Sequence, residues 1–454
     1  MRQRLRRRGA VATLIAAALL VLAACGQGWG TSDVGAGDGK TVNLTYALWD
    51  ATQQVGYQKS IDIFEKQHPN IHVTIEQIPY GNYPQKLTSE YVSHDAPDLF
   101  WVNTPFLANW IQDGMVKDIG PLIKRDHVNM SQYYPALVKL HQHAGKIYGL
   151  PKDWDTIALY YNKDYFAQHH VKIPKNLTWN PDGGGTFTPM LKQATTDDKG
   201  RSMGAPGFDA GNIKTYALTV ANDPQSGYGS FLAMNGAGVL PKPYSKKISL
   251  AQPAAQQAFQ YYTGLMNKDH VGVPAGEMGP EVAGSTATQL FAEGRVAIYQ
   301  AGDWNTSTIA SSVKFKVGVL PLPAGPQGRV SVFNGLVDAI NTASPHPKEA
   351  WELEKWLGSP ASEKIMGEGG YIWPGIKSLD PLFLQHWKKE GIDLQPFLDE
   401  ARGKVVNFPV SPGIAVGLVD MANELGPMFL GSTSVADGTR NATIAGNHDL
   451  VSFY

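Results

Sequence analysis

An α/β fold in two lobes is what the sequence predicts, and three observations predict it. Short apolar runs alternate with apolar stripes at helical spacing, and the first series is a βαβαβ run between residues 42 and 111. Beyond the N-terminal segment, roughly 415 residues remain, more than a single hydrophobic core keeps growing to include.

Five arginines lie between Arg2 and Arg8, and an uncharged Ala/Leu/Val run follows from Ala10 to Ala24. Crossing the hydrocarbon core takes about 20 apolar residues, so this shorter run reads as the apolar part of a secretory signal spanning 1–24. Leu22-Ala23-Ala24-Cys25 has the form of a bacterial lipobox, in which the cysteine is lipidated and becomes the first mature residue. Cys25 is the only cysteine of the 454 residues, so no disulfide within the chain is available and the lobes depend on ordinary cores. Residues 25–40 are glycine-rich and aperiodic, the composition of a flexible tether. The expected location is the outer face of the cell membrane, with contact to the membrane through the lipid only.

In the mature chain, Val42 to Leu48 reads as a buried strand that stops at Trp49-Asp50. Tyr57, Ile61 and Phe64 then recur at helical spacing up to His68-Pro69. Ile71, Val73 and Ile75 alternate as a second strand, and Tyr83, Leu87 and Tyr91 mark the next helix. Asp98 to Val102 is a third strand, followed by helical Phe106, Trp110 and Ile111. Leu159 to Tyr161 is a further strand. Pro174 to Gly211, with Asp182-Gly183-Gly184-Gly185 inside it, reads as surface loops around short helices.

Later, Phe259, Tyr262 and Met266 mark a helix, and Val296 to Tyr299, Phe315 to Leu320 and Leu336 to Ile340 are short strands. Ala350, Leu353 and Leu357 form a helical stripe, as do Leu418, Met421, Leu425 and Met428. In open α/β sheets a ligand sits beyond the carboxyl ends of the strands. Trp49-Asp50, Asn103 and Asp303-Trp304 all fall at or just after such ends.

Lys+Arg 39 against Asp+Glu 40 leaves a formal charge of -1 with no basic stripe beyond the signal, which argues against nucleic acid. Aromatics reach 10% with 11 Trp and 19 Tyr, a composition suited to a site built of flat apolar faces, although core filling would use the same residues. A pyranose needs such faces for its C–H sides and carboxylates or amides for its hydroxyl rim. Trp49-Asp50 and Asp303-Trp304 each place that pair side by side.

His141-Gln142-His143 and His169-His170 read as solvated surface histidines, because zinc needs three or four converging ligands. Asp197-Asp198-Lys199-Gly200 lacks the alternating oxygens of a calcium loop and reads as a polar turn. No cofactor or metal is expected. A surface-anchored glycoside hydrolase would also use tryptophan platforms, with two carboxylates about 5 to 10 Å apart, but no catalytic signature accompanies them. An adhesin would account for the anchor alone.

The chain resembles the maltose-binding-like extracellular solute-binding proteins of ABC sugar importers. The resemblance is carried by Ala96-Pro97-Asp98-Leu99-Phe100-Trp101 before Gly114-Met115-Val116, by the segment from Gly145 to Pro151, and by Leu159 to Asp164. Phe291 to Ile298 leading into Gly302-Asp303-Trp304, Val317 to Pro321 before Asn334-Gly335, Asn341 to Pro345, and Gly370 to Pro374 complete it. It implies a periplasmic-binding-protein-like fold, each lobe a mixed sheet flanked by helices, joined by a multi-crossing hinge. The implied N-terminal lobe is 41–154 with 315–357, and the C-terminal lobe 155–314 with 358–454. It further implies a monomer that captures a sugar or oligosaccharide in the cleft and passes it to ABC permease subunits, without being an enzyme. Position by position, the ligand-binding set is Trp49, Asp50, Trp101, Asn103, Asp155, Asp303, Trp304, Asn334, Gly335, Tyr371 and Trp373. Asn103 stands where the maltose binder carries an acid, and Thr104 replaces a following arginine, departures that argue against maltose itself.

Overall fold

In a computed structural model of the chain, residues 41–278 and 285–453 are described. The signal segment, Cys25 and the tether lie outside them. No helix among the described residues is long and apolar enough to cross a membrane.

Two five-stranded mixed sheets organise the chain. The first has the order Ile71–Gln77, Val42–Leu48, Leu99–Val102, Val337–Ile340, Leu150–Pro151. Its first three strands run parallel and the last two pairings are antiparallel. The βαβαβ run therefore forms as its apolar periodicity requires, each helix returning the chain to the same end of the sheet. Leu44, Tyr46, Phe64, Leu99, Phe100 and Trp351 belong to its core.

The second sheet has the order Val317–Leu320, Ile157–Asn162, Val296–Gly302, Ile213–Leu218, Thr196–Asp197. Pro253–Asn267 and Ile414–Phe429 pack on one of its faces through Phe259, Tyr262, Met421 and Leu425. The other face is covered by Phe291, Phe383, Phe397 and their neighbours.

Two expected boundaries shift. Val317–Leu320, assigned above to the N-terminal lobe, pairs antiparallel with Ile157–Asn162 and so belongs to the second sheet. Pro360–Glu368, assigned to the C-terminal lobe, packs on Ala51–Gln67 of the first, with Ser60 Oγ and Ser362 Oγ 2.7 Å apart. Apolar periodicity marks an element but does not say which sheet has the free edge or face that receives it.

The chain passes between the sheets through three segments lying side by side. Asp155 exchanges backbone hydrogen bonds with Asn334, its N–H donating at 2.9 Å and its carbonyl accepting at 3.2 Å. Lys152 N–H donates to Leu336 O at 3.2 Å, and Gly375 N–H donates to Lys152 O at 3.2 Å. Trp154 and Trp373 pack beneath with ring centroids 4.4 Å apart. Gly335 is required here, because a Cβ on it would lie 2.4 Å from Leu137 Cδ1 and 2.5 Å from Asp153 O. Gly335→Ala is expected to lower stability by about 1 to 3 kcal/mol through overpacking. Chemical denaturation checks this, and an unchanged midpoint would show that the crossing tolerates a methyl group.

Candidate functional site

The candidate residues converge where strands end. Trp49 follows Val42–Leu48 and is half-buried, held edge-on by Trp101, Tyr83 and Tyr80 at centroid distances of 4.8, 5.0 and 5.4 Å. Asp50 is the N-cap of Ala51–Gln67, its Oδ1 accepting from Thr52 N–H at 2.8 Å and Gln53 N–H at 3.0 Å. Helix starts leave such N–H groups without intrahelical partners, which is why an acceptor side chain is favoured at this position. One carboxylate oxygen is thus committed to the helix, and the other lies 3.5 Å from Gln53 Nε2.

Asn103 repeats the device at the third strand. It caps Thr104–Gln112 through Oδ1, which accepts from Thr104 N–H at 2.7 Å and from Asn334 Nδ2 at 3.0 Å. Thr104 Oγ1 donates to Asn334 Oδ1 at 2.5 Å. Asn103 and Asn334 therefore tie the first lobe to the second crossing segment.

On the opposite lobe, Asp303 and Trp304 follow Val296–Gly302. Trp304 is half-buried with its ring against Gly302, where a Cβ would lie 1.7 Å from Cζ3. A glycine thus lets the indole lie flat on the strand end. Asp303 is buried, its Oδ2 accepting from Thr156 N–H at 3.3 Å. Half-buried Asp155 accepts from Gln225 Nε2 at 2.8 Å. Burial foremost, then the negative neighbour Asp153, pushes the Asp155 carboxyl well above its usual range against the Gln225 hydrogen bond, and burial followed by Asp155 does the same for Asp303.

Three of the expected residues sit away from an open face, and a fourth is held to one lobe. Trp101 is fully buried, its indole N–H donating to Tyr46 O–H at 2.6 Å and its ring carrying Lys152 Nζ at 3.4 Å. Trp373 is 1% exposed and donates to Asp380 Oδ1 at 3.0 Å, so it fills the core below the crossings instead of closing over a ligand. Gly335 is packed by the crossing itself. Half-buried Tyr371 is the fourth: it lies on Gly56 of Ala51–Gln67 and accepts from Lys59 Nζ at 2.8 Å, which fixes it to the first lobe. Each is an aromatic or glycine at a family position, and residue type alone does not distinguish a platform from the support behind it.

Other residues join the site without having been singled out. Tyr80 stands edge-on to Trp49, is 36% exposed, and lies 3.5 Å from Asn103 Nδ2. Its hydroxyl is pushed up to about 12, chiefly by burial and in part by Asp223 of the other lobe, opposed by the Asn103 hydrogen bond. Asp223 and Gln225 lie in the loop after Ile213–Leu218, which Gln300 holds by donating to Ser226 O and Gly227 O at 2.5 and 2.7 Å. Lys214 and Thr215 interrupt the apolar residues of Ile213–Leu218, so the strand before that loop carries too weak a period to mark its end in the sequence.

One of the histidines expected at the solvated surface lies inside the protein. His141 is buried, with Nδ1 3.2 Å from Leu137 O, and burial lowers its imidazolium to about 4. His143 stacks on Tyr244 at 3.9 Å. Among the described residues no group of three His, Cys, Asp or Glu could hold a metal ion. Asp197 accepts from Lys199 and Arg201 N–H at 3.0 and 2.9 Å, so its carboxylate organises a turn.

The family model for bacterial extracellular solute-binding protein matches residues 59–391. The galactooligosaccharide-binding protein of Bacillus subtilis is 26% identical over 385 residues, covering 82% of each chain. The arabinooligosaccharide-binding protein of the same organism is 23% identical over 429 residues, 90% of this chain and 87% of that one. Among solved structures, M. tuberculosis UspC matches with TM-score 0.74 and 31% identity over 90% of this chain and 100% of its own. The GacH receptor of Streptomyces glaucescens, crystallised unliganded and with acarbose, has the same fold, with TM-score 0.74 and 18% identity over 91% of this chain and 100% of that one. The chain belongs to the bacterial extracellular solute-binding protein family.

Two outcomes follow from the geometry. Asp153 Oδ1 accepts from Leu336 N–H at 2.8 Å, and burial, opposed by Lys152, raises its carboxyl from 3.8 to about 6. Between these values the folded chain binds the extra proton, so this group's contribution to stability is present at the lower pH and is lost as pH rises toward 6. Asp153→Asn is expected to flatten that part of the stability-against-pH curve, measured by denaturant midpoints; an unchanged slope counts against the assignment. Asp50→Asn keeps a capping oxygen and is expected to melt near wild type, whereas Asp50→Ala loses about 1 kcal/mol.

Proposed function

We propose that this family member captures a sugar or short oligosaccharide between its lobes and delivers it to the transmembrane subunits of an ABC importer. The observation carrying the reading is that half-buried Trp49 and Trp304 stand at strand ends of the two sheets, each beside a carboxylate, while Asn334 and Asp155 of the crossing segments bond Asn103 of the one lobe and Gln225 of the other. An indole face matches the C–H side of a pyranose, and carboxylate and amide oxygens accept from its hydroxyls. Asp50, Asn103, Asp155, Asp303, Tyr80, Asp223 and Gln225 supply that rim. Trp101, Asn334, Tyr371 and Trp373 act behind it, and Gly335 lets the crossings approach. The named relatives bind galacto- and arabinooligosaccharides, and the acarbose-binding receptor shares the fold, which supports a carbohydrate ligand.

Lobes of 41–152 with 336–373 and of 155–333 with 375–453 follow the sheets that their strands join. Closing them needs a ligand that touches both. The chain acts as a monomeric binder and not an enzyme, held at the outer face of the cell membrane by lipid on Cys25. The raised Asp155 and Asp303 carboxyls serve here as hydrogen-bonding groups for sugar hydroxyls.

Native mass spectrometry of freshly purified protein, followed by calorimetry with maltotriose, galactotriose, arabinotriose and mannotriose, tests this. Trp304→Ala is expected to weaken the sugar that binds at least tenfold while melting close to wild type, since the indole is half-buried. A core tryptophan would instead cost about 3 to 5 kcal/mol of stability. Unaltered affinity in Trp304→Ala removes it from the site. Release of shortened glycans from the same panel would favour a hydrolase.

A further inference from the structure

On one flank of the cleft, three contacts join the lobes away from the candidate ligand residues. The first is a helix start. Ile414–Phe429 begins after Gly413, which has no side chain with which to cap it. The Gly413 N–H instead donates to Asn109 Oδ1 at 2.9 Å, and Asn109 lies on Thr104–Gln112 of the other lobe. A helix start leaves such N–H groups without intrahelical partners, and here the opposite lobe provides the acceptor.

One helical turn further on, Gln112 Nε2 donates to Phe453 O at 2.7 Å, at the end of Val435–Ser452. Residues three apart share a helix face, so Asn109 and Gln112 reach across together. The third contact is the His143 ring stacked on Tyr244 at 3.9 Å and 28°. His143 belongs to a hairpin whose Ile147 packs on the first core, and Tyr244 N–H donates to Val410 O in the second lobe. Ala108, Ile111 and Pro412 line the crevice between these contacts.

Leu107 and Trp110 anchor one side of the crevice in the first core, while Ile414 and Leu450 anchor the other in the second. A rotation about the crossings that parts these two cores separates the partners of all three contacts. We propose that the ends of Thr104–Gln112, Ile414–Phe429 and Val435–Ser452 form a latch that stabilises the closed state and so sets ligand affinity without touching ligand. This rests on the reading that the lobes close on a sugar. Apparent affinity scales with the fraction of chains able to adopt the binding-competent state, so a latch is felt in proportion to the closed population it adds.

The test compares wild type with Asn109→Ala, Gln112→Ala and their combination in the full chain. Tryptophan fluorescence with maltotriose, galactotriose, arabinotriose and mannotriose gives affinity, and stopped-flow displacement gives dissociation. The double variant is expected to bind about 3- to 10-fold more weakly, through faster dissociation, and to show a larger ligand-free radius of gyration. Asn109→Asp, which keeps the acceptor, is expected to match wild type. Wild-type affinity and dissociation in the double variant, while wild type binds one of the four sugars, overturn the latch and leave the sugar reading intact. If wild type binds none of them, the sugar reading fails on this panel, and an unchanged ligand-free radius of gyration in the double variant then overturns the latch as well.

Discussion

Side-by-side passage of three chain segments at residues 152–155, 334–336 and 373–375 is the constraint on which the molecule depends. Each sheet contains strands from distant parts of the sequence, so the chain has to travel between them more than once. Backbone hydrogen bonds between Asp155 and Asn334, and between Lys152 and both Leu336 and Gly375, hold those passages in contact. Such a junction bends about a few backbone torsions while the cores on either side stay packed, the usual basis of hinge closure.

The junction is also where buried charge collects. Lys152 Nζ lies between the faces of Trp101 and Tyr57 at 3.4 and 4.1 Å, and 3.8 Å from Asp338 Oδ1, an ion-pair separation without a hydrogen bond. Burial lowers its ammonium to about 8, against the opposing pull of Asp338 and Asp153. Tyr46 O–H donates to Asp338 at 2.6 Å, Leu150 N–H to Glu354 at 2.9 Å and Ile376 N–H to Glu363 at 2.8 Å. Buried ions are costly unless paired and hydrogen-bonded, and removing one partner is strongly destabilising. The network therefore favours one arrangement of crossings, and with it the position of Trp101, against which Trp49 stands.

The candidate residues occupy strand ends for a related reason. A strand that turns into a helix exposes unpaired N–H groups, and Asp50 and Asn103 satisfy them. Their second polar atoms stay oriented because the first are fixed, which reduces the ordering that a ligand would otherwise have to impose. On the second lobe Gly302 serves Trp304 in a different way, by leaving room for the ring to lie on the backbone.

The sequence by itself determined the α/β class, the elements of the first lobe and the strand-end location of Trp49, Asp50, Asn103, Asp303 and Trp304. Alternating and helical apolar periods are local properties, and a strand end is where such a period stops. It also determined that no disulfide could staple the chain. Only the tertiary structure decided which sheet received Val317–Leu320, that Pro360–Glu368 packed on the first lobe, and that Trp101 and Trp373 were supports. It likewise brought in Tyr80, Asp223 and Gln225, and buried His141. Which edge, face or cavity a segment fills depends on partners hundreds of residues away, and an indole has the same local sequence signature whether its face meets a sugar or a lysine.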